Sequence, residues 1–311
     1  MKKIAFVFPG QGSQSVGMLA ELAAIYPIVQ QTFQEASSVL GYDLWKLAQE
    51  GPVEKLNQTE FAQPALLAAG VAVWRVWLEN KGPLPTLLAG HSLGEYTALV
   101  CAGAIDFYDA IKLVQERGQV MQNAVPIGKG AMAAIVGLDE SGVLEICRKA
   151  AQNEILAPAN YNSIGQIVLS GEVNAVTRAV DLAKVAGAKI AKLLPVTVPS
   201  HCELMKSAAV NFKSRLSQVA IKKPDIPILH NFDVKSHSEP EDIRNMLVEQ
   251  LYNTVKWTQT IKLMAEQGIN CIFECGPGKV LSGLNKRIVS DIVVEFLGMP
   301  ANLEAAIAQL N

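Results

Sequence analysis

The sequence lacks several things, and each absence excludes a class of function. There is no basic excess: Lys and Arg total 27 against 29 Asp and Glu, for a net charge of −2. That balance argues against nucleic acid or an anionic membrane surface as a partner. There is no run of like charges long enough to be a tail, and no run reads as the ~20 apolar residues of a membrane span. The apolar run after Lys2 and Lys3, Ile4 to Phe8, is five residues long and meets Pro9-Gly10 at once. A signal core needs about 7–15 apolar residues, so this run reads as a buried strand entering a glycine loop. With no export signal, the expected location is the cytoplasm. Cysteine is sparse and odd in number: Cys101, Cys147, Cys202, Cys271 and Cys275. Reduced thiols are expected rather than a disulfide framework. Cys271 and Cys275 have no neighbouring histidine and read as small apolar residues at the ends of a buried strand, not as metal ligands.

What is present is apolar mass and alternation. Half of the 311 residues are hydrophobic, ample for one large domain or two smaller ones. Strands are expected at Lys3–Phe8 and Thr86–Ala89. Helices are expected from Pro27 to Gly41, from Pro64 to Glu79, up to Cys101, and from an Asp106 cap to Asn123. This is the rhythm of a parallel sheet. After Gly128-Lys129-Gly130 the rhythm becomes βαββαβ up to Leu194, a ferredoxin-like order, and α/β alternation then returns with strands at Ile226–Leu229 and Asn270–Glu274. The fold class is therefore α/β: a larger α/β-hydrolase-like parallel-sheet domain (1–127 and 197–311) with an inserted ferredoxin-like (βαββαβ) subdomain (128–196).

Gly90-His91-Ser92-Leu93-Gly94 fits G-x-S-x-G. The pattern is weak alone, but here it follows an apolar strand and precedes a helix, the setting of a nucleophile elbow. The alternative is an ordinary glycine-bounded turn with a capping serine. A serine nucleophile needs a base, and there are four histidines. His91 is expected to point away from the serine, and His237, in a polar run, to be solvated. His201, in Val198-Pro199-Ser200-His201, is favoured over His230, which ends an apolar strand. A hydrolase triad also needs an acid. Asp225 and Asp233 are available, and nothing marks either.

Arg117 lies on the same helical face as Leu113, Val114 and Met121. A buried guanidinium is costly unless paired. The position fits an internal salt bridge, a snorkelling side chain, or a clamp for a substrate carboxylate. The loop Pro9-Gly10-Gln11-Gly12 lacks the spacing of a dinucleotide site, but such a loop can bring a backbone N–H towards Ser92. Gly276-Pro277-Gly278 reads as a second tight turn at the same sheet edge.

Six motifs fall in order: Phe8-Pro9-Gly10-Gln11-Gly12, Gly90 to Glu95, Gln115-Glu116-Arg117-Gly118, Gln166-x-Val168-x-Ser170-Gly171, Pro199-Ser200-His201 and Gly276-Pro277-Gly278. Together they resemble the malonyl-CoA:acyl carrier protein transacylase family, over essentially the whole chain. The resemblance implies Ser92 as nucleophile, His201 as general base, and an oxygen near Gln250 in place of an acid to orient it. It implies an oxyanion hole of the Gln11 and Leu93 backbone N–H groups, and Arg117 as the binder of the malonyl carboxylate. It also implies malonyl-CoA as substrate, acyl carrier protein as partner, no permanently bound cofactor or metal, and action as a monomer in fatty-acid elongation. His230-Asn231 departs from the paired asparagines frequent in relatives and makes His230 a near-site residue. Lys279, Lys286 and Arg287 form either a basic patch for the carrier protein or a solvated helix face. Two rivals stand beside this reading: a serine esterase or thioesterase, against which the insertion and the missing acid argue, and a non-catalytic carrier-protein scaffold.

Overall fold

The computed structural model describes residues 2–196 and 198–310; Met1, Thr197 and Asn311, at which the expected segments begin or end, lie outside them. Among the described residues there are nine strands: β1 (Ile4–Phe8), β2 (Leu87–Gly90), β3 (Gly130–Val136), β4 (Leu156–Ser163), β5 (Gln166–Glu172), β6 (Ile190–Leu193), β7 (Ile228–Leu229), β8 (Cys271–Glu274) and β9 (Val293–Phe296). They form a five-stranded sheet ordered β7-β2-β1-β8-β9 and a four-stranded sheet ordered β4-β5-β3-β6. All pairings in the first are parallel; all in the second are antiparallel.

The parallel sheet is covered on both faces, which is why β1 is apolar at every position. Ile4, Phe6 and Phe8 join the larger core, whereas Ala5 and Val7 point into the opposite one with Trp257 and Ile261. Phe6 anchors the larger core, meeting Trp74, Trp77 and Phe273 edge-on at centroid distances of 5.5, 5.0 and 5.7 Å. In the antiparallel sheet two helices, Glu140–Ala151 and Val173–Val185, cover one face through Val143, Ile146, Ala179 and Ala183. The strand order with these crossovers is the ferredoxin-like arrangement, and the whole is an α/β-hydrolase-like core carrying a small subdomain.

The small sheet is fastened along β4 to the segment 254–258 of the larger part. Tyr161 N–H donates to Val255 O at 3.0 Å, and Val255 N–H donates to Ala159 O at 2.9 Å. Thr254 and Thr258 hydroxyls donate to the Pro158 and Tyr161 carbonyls. On β5, the Ser170 hydroxyl reaches Cys202 Sγ at 3.4 Å, beside His201.

Two elements depart visibly from the sequence expectation. The helix expected from Pro64 begins at Thr59 and runs to Glu79, with Pro64 inside it; a proline near a helix start forfeits one backbone hydrogen bond without ending the helix. That helix is long and apolar enough to cross a membrane, with a mean hydropathy of 1.3, although Glu60, Gln63 and Arg75 break up the run in the sequence. Yet 83% of the stretch is buried inside the fold, which marks it as a core helix. The edge strand β9 had no separate sequence signal. Cys271 and Cys275 are both buried, as expected of apolar strand ends, and all five cysteines are free.

Phe6→Ala removes the ring that three aromatic partners pack against. It should lower unfolding stability in urea by about 3–5 kcal/mol; a loss below about 1 kcal/mol would show that the sheet does not depend on this cluster.

Candidate active site

Ser92 sits between β2 and the helix Gly94–Cys101 with φ of 51°. A non-glycine residue there is strained and must be held by its surroundings. Asn231 holds it: its side-chain oxygen accepts from Ser92 N–H at 2.7 Å, and its Nδ2 donates to Gly90 O at 2.6 Å. Gln250 Nε2 donates to Ser92 O at 3.0 Å. The turn also needs small neighbours, because a Cβ on Gly94 would stand 2.0 Å from Phe8 O. The loop after β1 packs against the elbow just as closely: a Cβ on Gly10 would be 2.5 Å from His91 O. This places Gln11 next to the elbow. Gly276 packs on Pro9 of the same loop.

His201 is 3% exposed. Its Nε2 is 2.8 Å from Ser92 Oγ, and its Nδ1 is 2.8 Å from the backbone oxygen of Gln250. A carbonyl can only accept, so Nδ1 carries the proton and Nε2 accepts from the serine hydroxyl. Burial, and after it the positive charge of Arg117, push the imidazole down from 6.5 to about 3. The histidine is therefore neutral across the physiological range.

Arg117 lies on the helix Phe107–Gln122 and is 1% exposed. It forms no ion pair among the described residues. Nη1 donates to Gln63 Oε1 at 2.8 Å, and Nη2 donates to Gln250 Oε1 at 2.9 Å and to Ser92 Oγ at 3.3 Å. The guanidinium carbon stands 5.2 Å from the centre of the Tyr96 ring, and Nε has no partner. Neither the internal salt bridge nor the snorkelling side chain is what the fold contains. Gly118 makes the arrangement possible, since a Cβ there would lie 2.6 Å from Glu60 Cα in the helix that supplies Gln63.

The structure thus brings Ser92, His201, Arg117 and Gln250 into one hydrogen-bonded group, with Gln11 and Leu93 on the loops beside it. His230 is elsewhere: it is fully buried and its Nδ1 lies 2.7 Å from Glu95 Oε1. His91 turns away from Ser92 to Asn162 at 2.8 Å. His237 is not simply solvated; it pairs with Asp233 at 2.7 Å, and its ring lies tilted against that of His230 at a centroid distance of 5.4 Å. Neither Asp225 nor Asp233 is bonded to His201. Sequence reasoning missed Gln63, Asn231 and Glu95. Gln63 and Glu95 carried a signal, each being a polar residue within an otherwise apolar helical run. No group of three or more metal-ligating side chains occurs among the described residues.

Residues 5–291 match the acyl transferase domain family. The chain belongs to that family. A malonyl CoA-acyl carrier protein transacylase of Salmonella typhimurium is 54% identical over 99% of this acyltransferase and 100% of the relative. The solved structure of a malonyl CoA-acyl carrier protein transacylase from Coxiella burnetii superposes with a TM-score of 0.98 at 52% identity, covering 99% of this chain and 98% of that one. A malonyl-transacylase solved in complex with a type II polyketide-synthase acyl-carrier protein gives a TM-score of 0.98 at 54% identity, covering 99% of this chain and 100% of that one.

The depressed His201 has a thermodynamic consequence. Its folded value, about 3, lies below its unfolded value of 6.5, so its contribution to stability is complete above pH 6.5 and is lost as pH falls towards 3. Between pH 7 and pH 5 the acyltransferase should lose roughly 2 kcal/mol more unfolding free energy than its His201→Gln variant. Equal losses in urea titrations at the two pH values would contradict the assignment.

Proposed function

We infer that this acyltransferase moves the malonyl group of malonyl-CoA to the phosphopantetheine thiol of acyl carrier protein, supplying fatty-acid elongation. The observation that carries the reading is Arg117: a buried cation with no protein carboxylate, one nitrogen of which lies 3.3 Å from Ser92 Oγ. An acyl group ending in a carboxylate, esterified to Ser92, supplies the missing anion in a bidentate geometry. The relatives named above supply the identity of donor and acceptor.

In this reading Ser92 Oγ attacks the thioester carbon while His201 Nε2 takes its proton. The backbone carbonyl of Gln250 holds the imidazole in the productive tautomer and orientation, as an aspartate does in a hydrolase triad. Backbone N–H groups of Gln11 and Leu93 receive the oxyanion; Ser92 N–H is already engaged by Asn231. As the tetrahedral intermediate collapses, the C–S bond breaks and His201 returns the proton to the departing thiol. The carrier-protein thiol then attacks the malonyl ester, His201 again accepting the proton, and Ser92 is regenerated. Malonyl-CoA enters as a substrate and no resident cofactor takes part.

The same reading assigns residues 1–127 and 197–311 to the catalytic subdomain and 128–196 to the smaller one. Lys279 and Lys286, both exposed, offer positive charge to an acidic carrier protein, whereas Arg287 is bonded to Gln166. The cytoplasm is the proposed location, supported by the five free thiols.

Arg117→Ala separates this reading from a general thioester hydrolase. With carrier protein as acceptor, kcat/KM for malonyl transfer should fall about 100-fold, the scale of a lost charge-assisted pair. Acetyl transfer should fall little or rise. Equal losses, or rapid release of free malonate unaffected by carrier protein, would contradict it.

A further inference from the structure

Glu95 is fully buried and touches no reacting atom in the scheme above. It lies in the first turn of the helix Gly94–Cys101. Its Oε1 lies 2.7 Å from His230 Nδ1, and its Oε2 accepts from Asn231 N–H and from Gln250 Nε2, each at 3.0 Å. Oε2, which faces Gln250, meets two N–H donors and acts only as an acceptor, as a carboxylate oxygen does.

The consequence falls on Gln250. Its Nε2 lies between Glu95 Oε2 and Ser92 O, and this turns its Oε1 towards Arg117 Nη2 at 2.9 Å. The opposite amide orientation would set an oxygen against a carboxylate and a carbonyl, and an NH2 group against a guanidinium. All three contacts would be repulsive in a site that excludes water. The negative charge at position 95 thus fixes which end of the amide Arg117 meets.

We propose that Glu95 is a positioning residue for acyl-group selectivity: it locks the Gln250 side chain, and through it sets the Arg117 guanidinium for an acyl group that ends in a carboxylate. The proposal rests on the malonyl reading above. Charge is the operative feature, because an amide at position 95 presents a donor as readily as an acceptor and no longer dictates the Gln250 orientation.

The test uses the full-length enzyme and compares kcat/KM for malonyl-CoA and acetyl-CoA. In Glu95→Gln, which keeps the side-chain volume, the malonyl-to-acetyl ratio should fall about tenfold, mainly through a higher KM for malonyl-CoA. Adding Glu95→Gln to Gln250→Ala should lower the ratio no further than Gln250→Ala alone, because the two act in series. Glu95→Asp, which keeps the charge but withdraws it by one methylene, should move the ratio in the same direction and serves if Glu95→Gln does not fold. A ratio left unmoved, including equal loss for both substrates, or additive losses in the double variant, overturns the proposal. Failure of the malonyl reading looks different: the unsubstituted enzyme itself would then show no preference for malonyl over acetyl.

Discussion

The organising constraint of this site is a desolvated guanidinium without a counter-ion in contact. Removing Arg117 from water costs several kcal/mol unless its donors are met. The fold meets them with neutral oxygens, from Gln63, Gln250 and Ser92, and leaves Nε without a partner. A carboxylate from the protein would have stabilised the cation more, but would also have neutralised it. Amide oxygens keep it oriented and charged. The same charge helps keep His201 unprotonated.

The second constraint is the strained turn that presents Ser92. Its φ of 51° is sustained because Asn231 and Gln250 bond the turn's backbone groups and Gly94 lets the following helix sit on β1. Gln250 serves four partners at once: its backbone oxygen orients His201, its Oε1 meets Arg117, and its Nε2 bonds Ser92 O and Glu95. His201, Arg117 and Ser92 are thereby tied to one residue at the end of the helix Pro240–Glu249. Such sharing makes the site rigid, and it means that substitutions among these residues will not act independently.

Much of this was legible in the sequence because local patterns carry it. The strand before Ser92 and the helix after it follow from short apolar runs and glycines. The buried face of Arg117 follows from its spacing to Leu113, Val114 and Met121. The βαββαβ order of the small subdomain follows from its alternating runs. What was not legible is what depends on long-range contact. Glu95 and Asn231 meet across 136 residues, and Arg117 and Gln63 across 54; no local period encodes either meeting. The choice of His201 over His230 was weighted by a turn motif, whereas the structure separates them by their partners, a serine hydroxyl for one and a buried glutamate for the other. Pro64 misled for a related reason: its effect on a helix depends on whether the preceding turn is held by packing, and here Gly118 packs against that turn.

The central claim is that Arg117 receives the free carboxylate of the acyl group carried by Ser92. A crystal structure of the malonyl-enzyme, trapped with malonyl-CoA in the absence of carrier protein, tests it most directly. The account predicts an ester at Ser92 Oγ whose terminal carboxylate oxygens both lie at about 2.7–2.9 Å from guanidinium nitrogens of Arg117. An ester whose carboxylate points to solvent, with Arg117 still bonded only to Gln63 and Gln250, would contradict it.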